Sequence, residues 1–308
     1  MERSCARDFG KEVGMVHEGL MTLRNFGLTA EGWQQMTQNK ELAKKVVELI
    51  EGKKDFWLEQ ILARERACHL AFFGHEFDLS DFAATLKKYG ESRIRFWQKI
   101  GLEPHFLPRL EMAESTSFQG WKVKPEQWFY QKIAEGRILR EISGQLAVDK
   151  GAHKLLGITA LIDTRLKPKY EDGRQMYEND NLLGPIIEEL RRAGKIADCK
   201  PHSSRFSVSV NEWEEDIKPA LADKLNLEPN QLRLERVIEA NVVPQLYPYM
   251  PRKDDGKTNT WVWYEERFED RGNRLHGGDS DNGGLADVND DWADNHWDYG
   301  SFRPLAVL

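Results

Sequence analysis

The chain closes on "GGDSDNGGLADVNDDWADNHWDYGSFRPLAVL", Gly277 to Leu308, and no other stretch constrains the fold as tightly. Its last eight residues are mostly apolar and read as a β-strand, so the chain must end inside a sheet. Upstream, "TNTWVWYEERF" is a second strand pattern, with Trp261, Trp263 and Phe268 set against Val262 and Tyr264. The residues between are therefore a loop closed at both ends by strands. Seven acids (Asp279, Asp281, Asp287, Asp290, Asp291, Asp294 and Asp298) and no Lys or Arg lie between His276 and Gly300. That segment alone carries −7, equal to the net charge of the whole chain, so the acidity is local. Trp292, Trp297 and Tyr299 separate it from disordered acidic segments, which are poor in aromatics. Burial of Phe302, Leu305 and Val307 at roughly 1.5–3 kcal/mol each would pin its C-terminal end.

A length of 308 residues suits two domains. From Asn39 to about Gly136 the pattern is helical, with segments ending at Gly52, Gly74, Gly90, Gly101 and Gly136, where glycine supplies the left-handed stop. Asn39 is the expected N-cap of "KELAKKVVELI", and Pro125 the expected first-turn residue of "KPEQWFYQKIAEG". After Gly151 the texture changes. "GITALIDTR" predicts a strand, "NDNLLGPIIEELRRAGKI" a helix, "SRFSVSV" a strand by alternation, and Ser209 with Glu212 a capping box. Pro219 is expected to kink or split the helix that follows, and "QLRLERV" alternates in strand fashion. The expected class is α+β, a helical module over 1–150 followed by an antiparallel-sheet domain over 151–308.

Much chemistry is excluded. No Gly-rich phosphate loop joins a strand to a helix, no G-x-S-x-G marks a nucleophile, and no Cys-x-x-Cys or paired-His helix marks a metal. His153 and His202 fall in loop patterns and read as surface residues. Three cysteines (Cys5, Cys68 and Cys199) are too few and too scattered for a disulfide framework. The N-terminus lacks the apolar core of a secretory signal and no window is apolar enough to span a membrane, so a cytoplasmic protein is expected. Between Asn39 and Glu111, thirteen basic residues face twelve acidic ones, which gives no phosphate-tracking surface. Neither nucleic acid nor membrane is an expected partner. Asp279, Asp281, Gly284, Asp287 and Asp290 follow the spacing of a calcium loop, but Asp replaces the bidentate Glu at the last position and the flanks lack helical faces. No metal or cofactor is expected.

The final segment resembles the variable region of the target proteins of diversity-generating retroelements. "GSFRPLAVL" is similar to their terminal G-F-R-P-L motif with Ser301 inserted, and Gly277–Gly278 and Gly283–Gly284 resemble the Gly-Gly turn ahead of the variable stretch. Such retroelements replace template adenines, often in Asn codons, and first-base changes there give Asp, His or Tyr. Nine of the thirteen residues from Asp287 to Tyr299 belong to that set, while Trp292 and Trp297 cannot arise that way and are expected to be fixed scaffold. The resemblance implies a C-type-lectin-like domain whose first and last strands pair. The disulfides and calcium–sugar triplets of many lectins are absent, so sugar binding is not implied. Formylglycine-generating enzymes are similar in the same fold, yet their cysteine pair is missing, since Cys199 stands alone after Cys68.

The sequence therefore predicts a non-enzymatic binding protein with a variable region near residues 279–299. The expected contact residues are Asp287, Asn289, Asp290, Asp291, Trp292, Asp294, Asn295, His296, Trp297, Asp298 and Tyr299. Tyr and Trp bring contact area at low entropy cost, while Asp, Asn and His bring hydrogen bonds and negative charge, which suits a protein partner with a basic patch. A calcium-stabilised structural or adaptor protein is the alternative, and a relative of the formylglycine-generating enzymes a further one.

Overall fold

Helix-ending glycines and capping residues set the N-terminal boundaries. The computed structural model describes residues 29–50, 56–142, 144–164, 169–171, 174–176, 180–248, 261–269, 272–278, 284–298 and 300–308. The chain divides into two compact units, Met1–Phe56 and Trp57–Leu308. In the first, α1 (Ala30–Gln38) and α2 (Lys40–Ile50) meet at Asn39. The Asn39 backbone N–H closes α1 on the Gln35 carbonyl. Its Oδ1 accepts from the Glu41 and Leu42 amides at 3.1 Å, as an N-cap should.

The second unit opens with α3 (Phe56–Phe73), α4 (Ser80–Tyr89) and α5 (Glu91–Lys99), stopped at Gly74, Gly90 and Gly101, all with φ between 81° and 96°. The next stretch is not helical. Leu102–Glu111 forms β1, an edge strand paired along its length with β4 (Lys154–Asp163). Strands β1 and β4 thus pair in one sheet although they stand on either side of residue 150. Between them lie α6 (Gln127–Ala134) and a hairpin of β2 (Ile138–Ile142) and β3 (Gln145–Val148). Helix α6 starts two residues after Pro125, with Glu126 at its N-cap.

Beyond β4 come the short pair β5 (Lys169–Glu171) and β6 (Arg174–Met176), then α7 (Gly184–Arg192). The capping box at Ser209 is present: its hydroxyl accepts from the Glu212 amide and the Glu212 carboxylate accepts from the Ser209 amide. It starts α8 (Val210–Glu212), which runs through a π-helical turn at Trp213–Ile217 into α9 (Lys218–Leu225). Pro219 sits in the first turn of α9, where its missing N–H costs little. The strand expected from "SRFSVSV" is absent. That stretch is irregular backbone bent at Arg205–Ser207, with Ser207 at φ 55°, and it ends where α8 begins at Val210. Strand β7 covers only Leu232–Leu234, and Val237–Leu246 forms α10.

The chain ends with β8 (Trp261–Phe268), β9 (Asn273–Gly277), β10 (Asn289–Trp292), β11 (Gly300–Phe302) and β12 (Pro304–Val307). One sheet has the order β1-β4-β12-β7, the other β10-β9-β8-β2-β3, with β11 parallel to β8. The class is α+β, with helices packed beside mainly antiparallel sheets. The terminal "SFRPLAVL" is thus two strands in two sheets, broken at Arg303. Strand β12 pairs with β4 through Leu305↔Ile162 and Val307↔Ala160. At the break, Asp163 Oδ2 lies 3.6 Å from Arg303 and 2.6 Å from Arg205, whose Nη1 also donates to the Phe302 carbonyl. Core side chains such as Trp97, Trp213, Leu221 and Phe302 fill the space around these strands. Among the described residues no helix is long and apolar enough to cross a membrane.

Candidate recognition surface

The segment from Gly284 to Phe302 is held chiefly through its backbone and its buried rings. At its start the Leu285 carbonyl accepts from Asn241 Nδ2 at 2.7 Å, and Trp121 Nε1 orients that amide by donating to Asn241 Oδ1 at 2.8 Å. Glu126 holds the next residues: its amide donates to the Ala286 carbonyl and its Oε1 accepts from the Val288 amide, both at 2.9 Å. Strand β10 then pairs with β9 in the register Asn289↔His276 to Trp292↔Asn273. The Ala293 carbonyl accepts from Val210 and Asn211, at the capping box that starts α8, and the Trp297 carbonyl accepts from Ser207. Arg191 makes that neighbouring loop rigid, donating to the backbone carbonyls of Ala197, His202, Ser204 and Phe206.

Two glycines permit this course. A methyl group on Gly277 would lie 1.9 Å from the Asp287 carbonyl oxygen, so only glycine lets the chain pass there. At Gly300 the ring of Trp297 occupies the corresponding space, 2.6 Å away. Trp297 itself stacks on Trp263 at 4.3 Å and 14°, with Trp261 and His276 edge-on to it. Burial pushes His276 down to about 4, with the Asp291 carboxylate opposing the shift, so the imidazole is neutral at physiological pH.

These constraints sort the residues expected from the sequence. Asp287 is buried, and its charge adds to burial in holding the Tyr264 phenol well above its ordinary value. Trp297 is half-buried in the aromatic stack. Asp290 is half-buried and accepts from Asn273 Nδ2 at 2.7 Å. His296 is exposed but ion-pairs with Glu212 at 3.0 Å. Asn289, Asp294 and Asp298 are exposed, and Asp291 and Asn295 are partly so. Trp292 is 55% exposed, so it presents its ring instead of bracing the loop as the sequence led us to expect. Tyr299, Asp279 and Asp281 lie outside the described residues, which leaves most of the calcium-loop spacing untested. Among the described residues no three His, Cys, Asp or Glu side chains converge as a metal site.

No family model matches the chain, and no curated protein does either. A solved structure described as "Crystal Structure of CarF" is similar at 11% identity and a TM-score of 0.39, covering 68% of this chain and 99% of that one. A likeness that slight carries no argument about fold family or function.

Proposed function

We propose that this chain is a non-enzymatic binding protein that displays a diversified recognition surface near its C-terminus, of the kind found in target proteins of diversity-generating retroelements, on a C-type-lectin-like scaffold. The observation that carries the reading is the division of labour between Gly284 and Phe302. Backbone hydrogen bonds, two close-approach glycines and the Trp263–Trp297 stack fix the course of the chain. Asn289, Asp291, Trp292, Asp294, Asn295 and Asp298 are left facing solvent. Such a segment would tolerate changed side chains because most of what fixes its path lies in the frame, although Asn289 and Asp291 each accept from the next amide in β10. The outward groups combine three carboxylates, two carboxamides and an indole, which suits a protein partner offering Lys or Arg. The indole face would take a cation and the flanking carboxylates its remaining donors.

Sequencing this locus across related clones tests the reading. Substitutions should concentrate at Asn289, Asp291, Asp294, Asn295 and Asp298, and coincide with template adenines, while Trp297, Gly277 and Gly300 stay constant. Substitutions spread evenly along the gene would overturn it.

A further inference from the structure

A concave site lies well apart in sequence from the segment between Gly284 and Phe302. The end of β1, the turn after it, the last turn of α6 and the residue before β4 border a shallow, open cleft of about 550 Å³. Ile133, Ala134 and Ala113 supply apolar lining, and Glu111, Glu114, Ser115, Tyr130 and His153 supply the polar groups. The volume falls within the range of small-molecule sites. We propose that this cleft binds a small organic ammonium ion, a primary amine carrying an apolar body.

Charge complementarity favours that occupant. Glu114 is exposed, and among the described residues its carboxylate takes no hydrogen bond or ion pair. It lies close enough to Tyr130 to add to burial in raising the phenol above its ordinary value. Glu111 accepts from His153 Nε2 at 2.9 Å, and Lys154 stands 3.8 Å from its other oxygen. Lys124, whose ammonium donates to the Glu114 and Thr116 carbonyls at 2.6 Å, is engaged by the backbone. One carboxylate is thus paired and the other is left for a ligand. The C-terminal turn of α6 also lines the cleft, and the partial negative charge at a helix C-terminus favours a cation there. An ammonium group on Glu114 would place an attached hydrocarbon over Ile133 and the ring of Tyr130. Burying that hydrocarbon adds an apolar term that a bare metal ion or ammonium could not gain.

The test is a titration of the full chain with 2-phenylethylamine and with its neutral isostere 2-phenylethanol, followed by NMR or calorimetry. The amine should bind saturably and up to about fivefold more tightly than the alcohol, the most that one exposed ion pair supplies. Glu114→Gln should bring the amine down to the alcohol's affinity while leaving the thermal midpoint unchanged. Ala134→Phe, at an exposed position, should fill the cleft and abolish both. No saturable binding, equal affinity for amine and alcohol, or an amine affinity unchanged by Glu114→Gln each overturns the proposal.

Discussion

If Trp297 braces the recognition segment and Trp292 is displayed by it, truncating the two must have unequal costs. A fully buried Trp→Ala change costs about 3–5 kcal/mol. Trp297 keeps part of its surface in water, so Trp297→Ala should cost about 2–3 kcal/mol. Of this, about 0.5–1.5 kcal/mol belongs to the parallel stack on Trp263, and the rest to area buried against Trp261, His276 and the backbone at Gly300. Trp292 is 55% exposed, and its backbone bonds in β10 do not involve the ring, so Trp292→Ala should fall within about 0.5 kcal/mol of the parent. Urea unfolding followed by far-UV circular dichroism reads both changes without relying on tryptophan emission. The midpoint should fall clearly for Trp297→Ala and stay nearly fixed for Trp292→Ala, with unchanged slopes. Equal losses, or a Trp297→Ala loss below about 1 kcal/mol, would refute the separation of scaffold from display.

Two further outcomes follow from buried groups. Burial pushes Glu266 up to about 7 against the pull of Arg236, so between about 4.5 and 7 the native state holds more protons than the unfolded one and stability falls as pH rises, by roughly 3 kcal/mol across the window. His276, pushed down to about 4, has the opposite sign below about 6.5, so the parent profile should be nearly flat over the overlap, whereas Glu266→Gln should expose a stability that rises with pH; an unchanged profile in that variant counts against both assignments. Gly277→Ala forces a methyl group against the Asp287 carbonyl at 1.9 Å, and should lower the urea midpoint more than alanine at the open Gly272, whose positive φ alone costs about 1 kcal/mol.

The helices with polar outer faces and glycine stops were legible because each local signal agreed with its tertiary setting. Where the two parted, the reading failed for identifiable reasons. Strand β1 is "LEPHFLPRLE", and Pro104 and Pro108 hid it; they are tolerated because β1 is the edge of its sheet, where a missing N–H breaks no second ladder. Helix α10, "VIEANVVPQL", looked unlike a helix because Val237, Ile238, Glu239, Asn241, Val242, Val243 and Leu246 are all buried, and a helix enclosed on every side loses the amphipathic period. It also carries Pro244 in its interior. The hairpin of β2 and β3 went unread, although Gly144, at φ 79°, marks its turn between "RILREI" and "QLAV". In "SRFSVSV" the alternation was real, but Arg191 takes the Ser204 and Phe206 carbonyls that a strand would have shared with a neighbour.

The segment from Gly284 to Phe302 shows the same limit more finely. Composition singles it out, yet composition assigns Trp292 and Trp297 the same role, and only the position of Trp263 on β8 separates them. The break at Arg303 adds what no local pattern could carry. Because β11 joins one sheet and β12 the other, the residues that follow the displayed stretch are anchored twice, through the parallel pairing to β8 and through the antiparallel pairing to β4 and β7. A displayed residue can change without altering either ladder. Side chains that reach into the frame include Asp290 to Asn273 and His296 to Glu212, and Asn289 Oδ1 and Asp291 Oδ1 accept from the next amides along β10. Glu212 also closes the Ser209 capping box and accepts from the Ala197 amide, so its loss would loosen several elements, whereas the loss of His296 removes one exposed ion pair worth at most about 1 kcal/mol. Variation should therefore be cheap at His296, dearer at Asp290, whose partner is half-buried, and dearest at Glu212, although Glu212 lies outside the displayed stretch.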